Sequence, residues 1–143
     1  MSSFTGNLVV RIRTNNPKPF EVFEMFEFHV GRENSGFLIR CLKDFVFDGT
    51  SMPKYLQWLI SPSDPNLLQC AAIHDQGFQD GFMIRIVRGQ EYREIVSKHQ
   101  INLVMAEAME VRKVKIWKQV VINTGLRLGS SGTWERYRNG VKR

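Results

Sequence analysis

Apolar residues in the first third of the chain recur at every second position. Leu8, Val10 and Ile12 alternate with Val9, Arg11 and Arg13, the period of a strand with one buried face. Asn15-Asn16-Pro17-Lys18-Pro19 interrupts the pattern. From Phe20 to Val30 the even positions Phe20, Val22, Phe26, Phe28 and Val30 form an apolar face broken only at Glu24, which predicts one long second strand. Turn residues fill Gly31 to Gly36, and Phe37 to Phe47 reads as a third strand rich in aromatic and branched side chains. Three strands of an antiparallel meander therefore precede an Asp48-Gly49 corner.

Beyond that corner the spacing becomes mainly helical. Pro53 to Ile60 predicts a short helix or turn carrying Tyr55, Leu56, Trp58 and Leu59, ended by Ser61-Pro62-Ser63. Asp64-Pro65 announces the next helix, because Asp at the N-cap accepts free backbone N–H groups and Pro at the first position gives up a hydrogen bond that was missing anyway. Asp80-Gly81 ends it. Leu67, Cys70, Ala71, His74 and Phe78 fall on one stripe, so His74 faces the interior or a cleft.

Phe82, Ile84 and Ile86 alternate with Met83, Arg85 and Val87, predicting a short strand with one apolar and one mixed face. Glu91 to Met109 reads as a long helix packed antiparallel to the first. Tyr92, Ile95, Val96, His99, Leu103 and Ala106 lie near one side of it, beside Ile101, Met105, Ala108 and Met109. A further helix is expected from Val114 to Thr124, with Trp117, Val120 and Val121 inward, Lys115 and Lys118 outward, and Gly125 as its stop. Gly129-Ser130-Ser131-Gly132 reads as a loop, and Arg136 to Arg143 as a basic, exposed tail ordered only by a partner. The expected fold is α+β: an N-terminal antiparallel β-meander (1–48) packed on a C-terminal antiparallel helical part (49–128), with a basic tail (129–143), all in one domain.

Composition narrows the class more than the function. With 143 residues, 43% hydrophobic and 24% charged, the chain has the make-up of a single globular domain with a real core. Cys41 and Cys70 lack C-x-x-C spacing, which favours a reduced setting over a disulfide framework. The start Met1-Ser2-Ser3-Phe4-Thr5-Gly6 lacks the charge and apolar run of a signal peptide, and no apolar run approaches the roughly 20 residues that cross a bilayer, so a soluble protein is expected. The net charge of +6 suits nucleic acid, an anionic membrane or an acidic partner alike.

Candidate chemistry sits in Phe45-Val46-Phe47-Asp48-Gly49-Thr50-Ser51-Met52-Pro53 and in Ala71-Ala72-Ile73-His74-Asp75. An acidic residue at a strand end, followed by a His-Asp pair inside a helix, can hold a cation or activate water. In that reading His74 is the general base, while Asp48 and Asp75 hold substrate or cation. The architectural reading needs less: Asp48-Gly49 makes a corner, Thr50 or Ser51 caps the helix begun at Pro53, and His74 bonds Asn102 or a backbone carbonyl between packed helices. His29, His74 and His99 share no metal-ligand spacing, so no metal and no cofactor is expected. Arg112, Lys113, Lys115, Lys118, Arg127 and the tail form a basic surface near Trp134 and Tyr137, unaccompanied by a nucleic-acid-binding motif.

Three segments together resemble an uncharacterised family, domain of unknown function 1353, encoded in tailed bacteriophages and prophages. Its pattern F-x-T-D-G-A-S-x-P is similar to Phe45 to Pro53, its A-A-x-x-H-D-x-x-Y to Ala71 to Phe78, and its A-D-x-x-F-x-x-A-M to Ile101 to Met109. The motifs occur in the family's order across roughly residues 37 to 128. This chain departs from them at Phe78, where the motif has Tyr, and at Asn102, where it has Asp. The family's histidine helix facing an aspartate helix looks like the plan of secretory phospholipases of the A2 class, in which histidine activates water beside a calcium-binding aspartate. Asn102 lacks the charge that would stabilise an imidazolium, and a glycine-rich calcium loop is not evident. The resemblance therefore implies a phage or prophage protein, and the weakened constellation together with the ordinary globular core points to a non-enzymatic structural or interaction component of the virion's tail region, located in the virion or the host cytoplasm. The implied partners are other phage structural proteins and further copies of the chain, with nucleic acid a candidate for the basic C-terminal part. A hydrolase of lipid or cell envelope, with His74 as base, is the first alternative, and a basic nucleic-acid-binding accessory protein is the second.

Overall fold

The computed structural model describes residues 1–15, 17–47, 64–129 and 131–140. Asp48, the Gly49 corner and the helix expected over Pro53 to Ile60 lie outside the described residues. The architecture is α+β, with antiparallel strands first and helices mostly after them.

Both long strands expected in the first third are each divided between two sheets. Strands β1 (Ser3–Phe4), β4 (Phe26–His29), β5 (Phe37–Cys41), β7 (Phe82–Val87) and β8 (Gln90–Ile95) form a five-stranded sheet in the order β1-β4-β5-β7-β8. Strands β2 (Val10–Ile12), β3 (Phe20–Val22) and β6 (Val46–Phe47) form a second sheet in the order β2-β3-β6. The chain leaves one sheet for the other at Phe23 to Met25, where the apolar face fails at Glu24, and again at Leu42 to Phe45. At the second crossing Asp44 takes φ 70° and its N–H donates to Val22 O at 2.8 Å. The even-numbered face survives the break, since Phe20, Val22, Phe26 and Phe28 are all buried. In β2, by contrast, Ile12 is exposed.

Helix α1 (Pro65–Asp80) starts and stops where its caps require. Asp64 Oδ1 accepts from the N–H groups of Asn66 at 3.0 Å and Leu67 at 3.4 Å. Its Oδ2 meets Lys118 Nζ at 2.9 Å. Burial alone would raise the Asp64 carboxyl, but the Lys118 ammonium and the two amides hold it below the ordinary value. Gly81 ends the helix at φ 70°, a conformation in which a Cβ is strained. A Cβ there would also collide with the Arg138 guanidinium.

The long helix expected from Glu91 is instead a strand followed by a shorter helix. Arg88 (φ 52°) and Gly89 (φ 78°) form a two-residue turn with both central φ values positive, which folds Gln90–Ile95 back on β7 in the register Val87↔Gln90 to Phe82↔Ile95. Tyr92 and Ile95, which suggested helical spacing, are both exposed. Cross-strand pairs hold β8: Arg85 with Glu94, and Arg93 over the Phe82 ring. In β7 it is Met83, from the mixed face, that is buried. Helix α2 (Lys98–Val111) begins at a capping box in which Ser97 Oγ accepts from Gln100 N–H and Gln100 Oε1 accepts from Ser97 N–H.

Helix α3 (Ile116–Gly129) runs through Gly125 rather than stopping there, and α4 (Ser131–Arg138) takes in Ser131 and Gly132 of the expected loop and part of the basic tail. Trp117 and Val120, expected inward, are 44% and 58% exposed. The inward side of α3 is Val121, Ile122 and Leu126.

Helix α1 lies against β5 and β7 on one side and against α2 and α4 on others. Gly81 O accepts from Val96 N–H beside the start of α2, Gly77 faces Ile101, and His74 meets Asn102, so α1 and α2 run antiparallel. Gly77 sets the approach: a Cβ there would lie 2.9 Å from Ile101 Cδ1 and 3.2 Å from Ile39 Cδ1. Gly77→Ala should therefore destabilise by about 1–2 kcal/mol, the strain of overpacking exceeding the helix-propensity gain. Adding Ile101→Val, which removes the closest methyl, should recover part of that loss. Urea unfolding of the two single variants and the double variant decides; a neutral or stabilising Gly77→Ala would contradict the close approach.

Candidate functional site

His74 projects from the middle of α1 toward α2 and is only 5% exposed. Its Nε2 lies 2.8 Å from Asn102 Oδ1. In the neutral ring that bond puts the proton on Nε2 and leaves the lone pair on Nδ1. Nδ1 is 3.6 Å from Asp75 Oδ1, beyond a hydrogen bond. The structure thus brings together His74, Asn102 and, more loosely, Asp75, whose side chain is 29% exposed.

A stack of rings covers His74. Phe78, one turn further along α1, packs on the imidazole with centroids 4.2 Å apart. Trp134 of α4 meets Phe78 edge-on at 5.2 Å, and the Arg138 guanidinium lies 4.4 Å over Trp134. Arg138 Nη2 donates to the carbonyls of Phe78 and Gln79, each at 2.7 Å. These carbonyls belong to the last turn of α1, where the helix dipole favours a cation. Helix α4 therefore closes the C-terminal end of α1 and the ring stack together. The basic residues expected to await a partner include Arg138, which is held by the chain itself.

The chemistry available to this cluster is limited. A general base needs its lone pair within reach of a bound water or substrate, and His74 is nearly sealed. Asn102 offers the ring a neutral amide, not a carboxylate that would orient and stabilise a charged imidazole. Phe78 stacks where a tyrosine would add a hydroxyl. Among the described residues no group of three or more His, Cys, Asp or Glu is placed to hold a metal ion. Both cysteines are buried and unpaired, and burial pushes the Cys70 thiol up to about 12 and that of Cys41 higher still, so neither is a nucleophile near neutral pH.

Two features escaped the sequence reading. Arg40 of β5 ties three strands by charge: its Nε meets Glu27 Oε2 of β4 at 2.7 Å, and its two terminal nitrogens grip Glu91 of β8 at 2.9 and 2.5 Å. The paired carboxylates raise the Arg40 pKa further. A cleft of about 250 Å³ lies beside this pair, lined also by Asp80, Phe82, Tyr92 and Arg93. Only the correct strand assignment of Gln90–Ile95 brings Glu91, Tyr92 and Arg93 there. Gln69 and Gln76 of α1 are likewise buried and bonded, Gln69 Nε2 to Gly6 O at 2.7 Å and Gln76 Nε2 to Asp80 Oδ2 at 2.9 Å. Gln76 Oε1 in turn accepts from Leu42 N–H at 3.3 Å.

An antiparallel sheet layer carrying a buried, histidine-bearing helix is the class these observations define. Residues 20–125 match the family described as protein of unknown function (DUF1353), and the chain belongs to it. No curated protein and no solved structure matches. The matched region holds His74 and Asn102 but ends before α4, so Trp134 and Arg138 come from outside it.

Removing either member of the part-buried pair should expose its cost. His74→Ala is expected to lose about 2–4 kcal/mol, from a cavity and an orphaned amide, and Asn102→Ala about 1–3 kcal/mol. The double variant should lose less than the sum of the single losses, by about 1 kcal/mol. Denaturant titration of the four proteins measures the coupling; strictly additive losses would show that the bond contributes nothing.

Proposed function

We propose that this protein is a non-catalytic structural or interaction component of a tailed bacteriophage, placed in the tail region of the virion. The observation that carries the non-catalytic part is the state of His74: buried, bonded to Asn102 in place of a carboxylate, and covered by Phe78. A hydrolytic site would need that ring open to water and oriented by a charge. The phage setting rests on the resemblance of the three motifs at Phe45 to Pro53, Ala71 to Phe78 and Ile101 to Met109.

Two measurements test the parts separately. Quantitative mass spectrometry of purified particles from the host phage or prophage should find the protein at a fixed copy number per virion. Absence from particles would overturn the structural role. Wild-type protein incubated with phospholipid and with peptidoglycan should release no product above a His74→Ala control. Turnover that disappears in His74→Ala would establish the hydrolase instead.

A further inference from the structure

The net positive charge is confined to one end of the chain. Residues 112–143 hold nine Lys and Arg against a single acid, Glu135, whereas residues 1–111 hold eleven against thirteen acids. The whole net charge of +6 therefore originates in the segment that begins at the C-cap of α2 and contains α3 and α4.

The same segment carries a group of exposed apolar side chains. Helix α3 is apolar on two sides: Val121, Ile122 and Leu126 pack on the core, while Ile116 (77% exposed), Val120 (58%) and Leu128 (77%) recur at four- and eight-residue steps on the outside with Trp117 beside them. Between them Thr124 is exposed, and a Cβ at Gly125 would meet nothing within 4 Å. The only charged residue on this outer face among the described residues is Arg127, one heptad beyond Val120. At its ends stand Lys113 and Lys115, just before the helix, and Arg127 in the last turn. These three cations are exposed and form no ion pair among the described residues.

From this arrangement we infer that α3 docks on the surface of an anionic lipid bilayer, with Ile116, Trp117, Val120 and Leu128 entering the headgroup boundary and Lys113, Lys115 and Arg127 facing lipid phosphates. Aliphatic side chains with a tryptophan on one helix face, rimmed by cations, match the two layers of a charged membrane: apolar below and negative above. A nucleic acid would satisfy the cations but offers its phosphate backbone nothing for Ile116, Val120 and Leu128 to bury against. A second copy joined through the same face would bring cationic rims together across the junction. The inference is independent of the virion assignment, and failure of one leaves the other standing.

Co-sedimentation of the full chain with phosphatidylglycerol-containing vesicles tests it. Binding is expected to those vesicles and not to pure phosphatidylcholine, with a blue shift of tryptophan emission that is lost in Trp117→Phe. The double substitution Val120→Ser, Leu128→Ser should weaken partitioning about tenfold or more without lowering the thermal midpoint, because both side chains are already exposed. Charge reversal by Lys113→Glu with Lys115→Glu should weaken it comparably, and added salt should weaken the wild type. No binding to anionic vesicles would overturn the inference. So would binding that survives Val120→Ser, Leu128→Ser while duplex DNA is bound equally well, since the surface would then be a nucleic-acid site. Self-association of the wild type that those serine substitutions abolish, without vesicle binding, would assign the face to a second copy.

Discussion

The fold depends on the burial of α1 from several sides. The five-stranded sheet, α2 and α4 all pack on it, and from Leu67 to Phe78 only Asp75 escapes burial. A helix in that position satisfies its backbone internally, but any polar side chain it carries must find a partner inside. Each buried polar residue of α1 does so. Gln69 reaches Gly6, which ties the N-terminal segment to the helix, Gln76 bridges Leu42 and Asp80, and His74 reaches Asn102. Gly77 belongs to the same constraint, because only a residue without Cβ lets Ile101 and Ile39 approach from both sides.

Seen from that constraint, the His-Asp pair loses its status as an isolated feature. His74 is one of three buried polar residues on a central helix, and its bond to Asn102 does for α2 what Gln69 does for the N-terminal segment. A neutral amide suits the task better than a carboxylate, because it accepts the imidazole proton without adding a buried charge that must itself be compensated. Phe78 then seals the ring with apolar surface where a tyrosine would need a hydrogen-bond partner. Asn102 and Phe78 thus act in one direction, toward packing. Trp134 and Arg138, contributed from beyond the matched region, complete the closure by occupying the free carbonyls at the end of α1.

Much of this was legible from the residues alone. Asp64-Pro65 and Gly81 bounded α1 correctly because each acts through local chemistry at a helix end. The even-numbered apolar face from Phe20 to Phe28 was also correct, since burial follows alternation whichever sheet a strand joins. The division of those strands between two sheets was not legible, as pairing partners are remote in sequence. The misreading of Gln90–Ile95 had a local remedy: Arg88-Gly89 as a turn and Ser97-x-x-Gln100 as a capping box both argue against a helix beginning at Glu91. Helix α3 had none. With Ile116, Trp117, Val120, Val121, Ile122, Leu126 and Leu128 distributed around it, periodicity does not select an inner face, and only tertiary packing decides. The region of Asp48 lies outside the described residues.

That His74 is part of the core, and not of an open site, is the claim from which the functional reading follows. Carbethoxylation by diethyl pyrocarbonate, followed residue by residue with mass spectrometry, tests it most directly because exposed His99 and buried His29 serve as internal references. The account expects His99 to react rapidly while His74, like His29, stays protected until the protein unfolds. Modification of His74 in the folded protein at a rate comparable to His99 would contradict it.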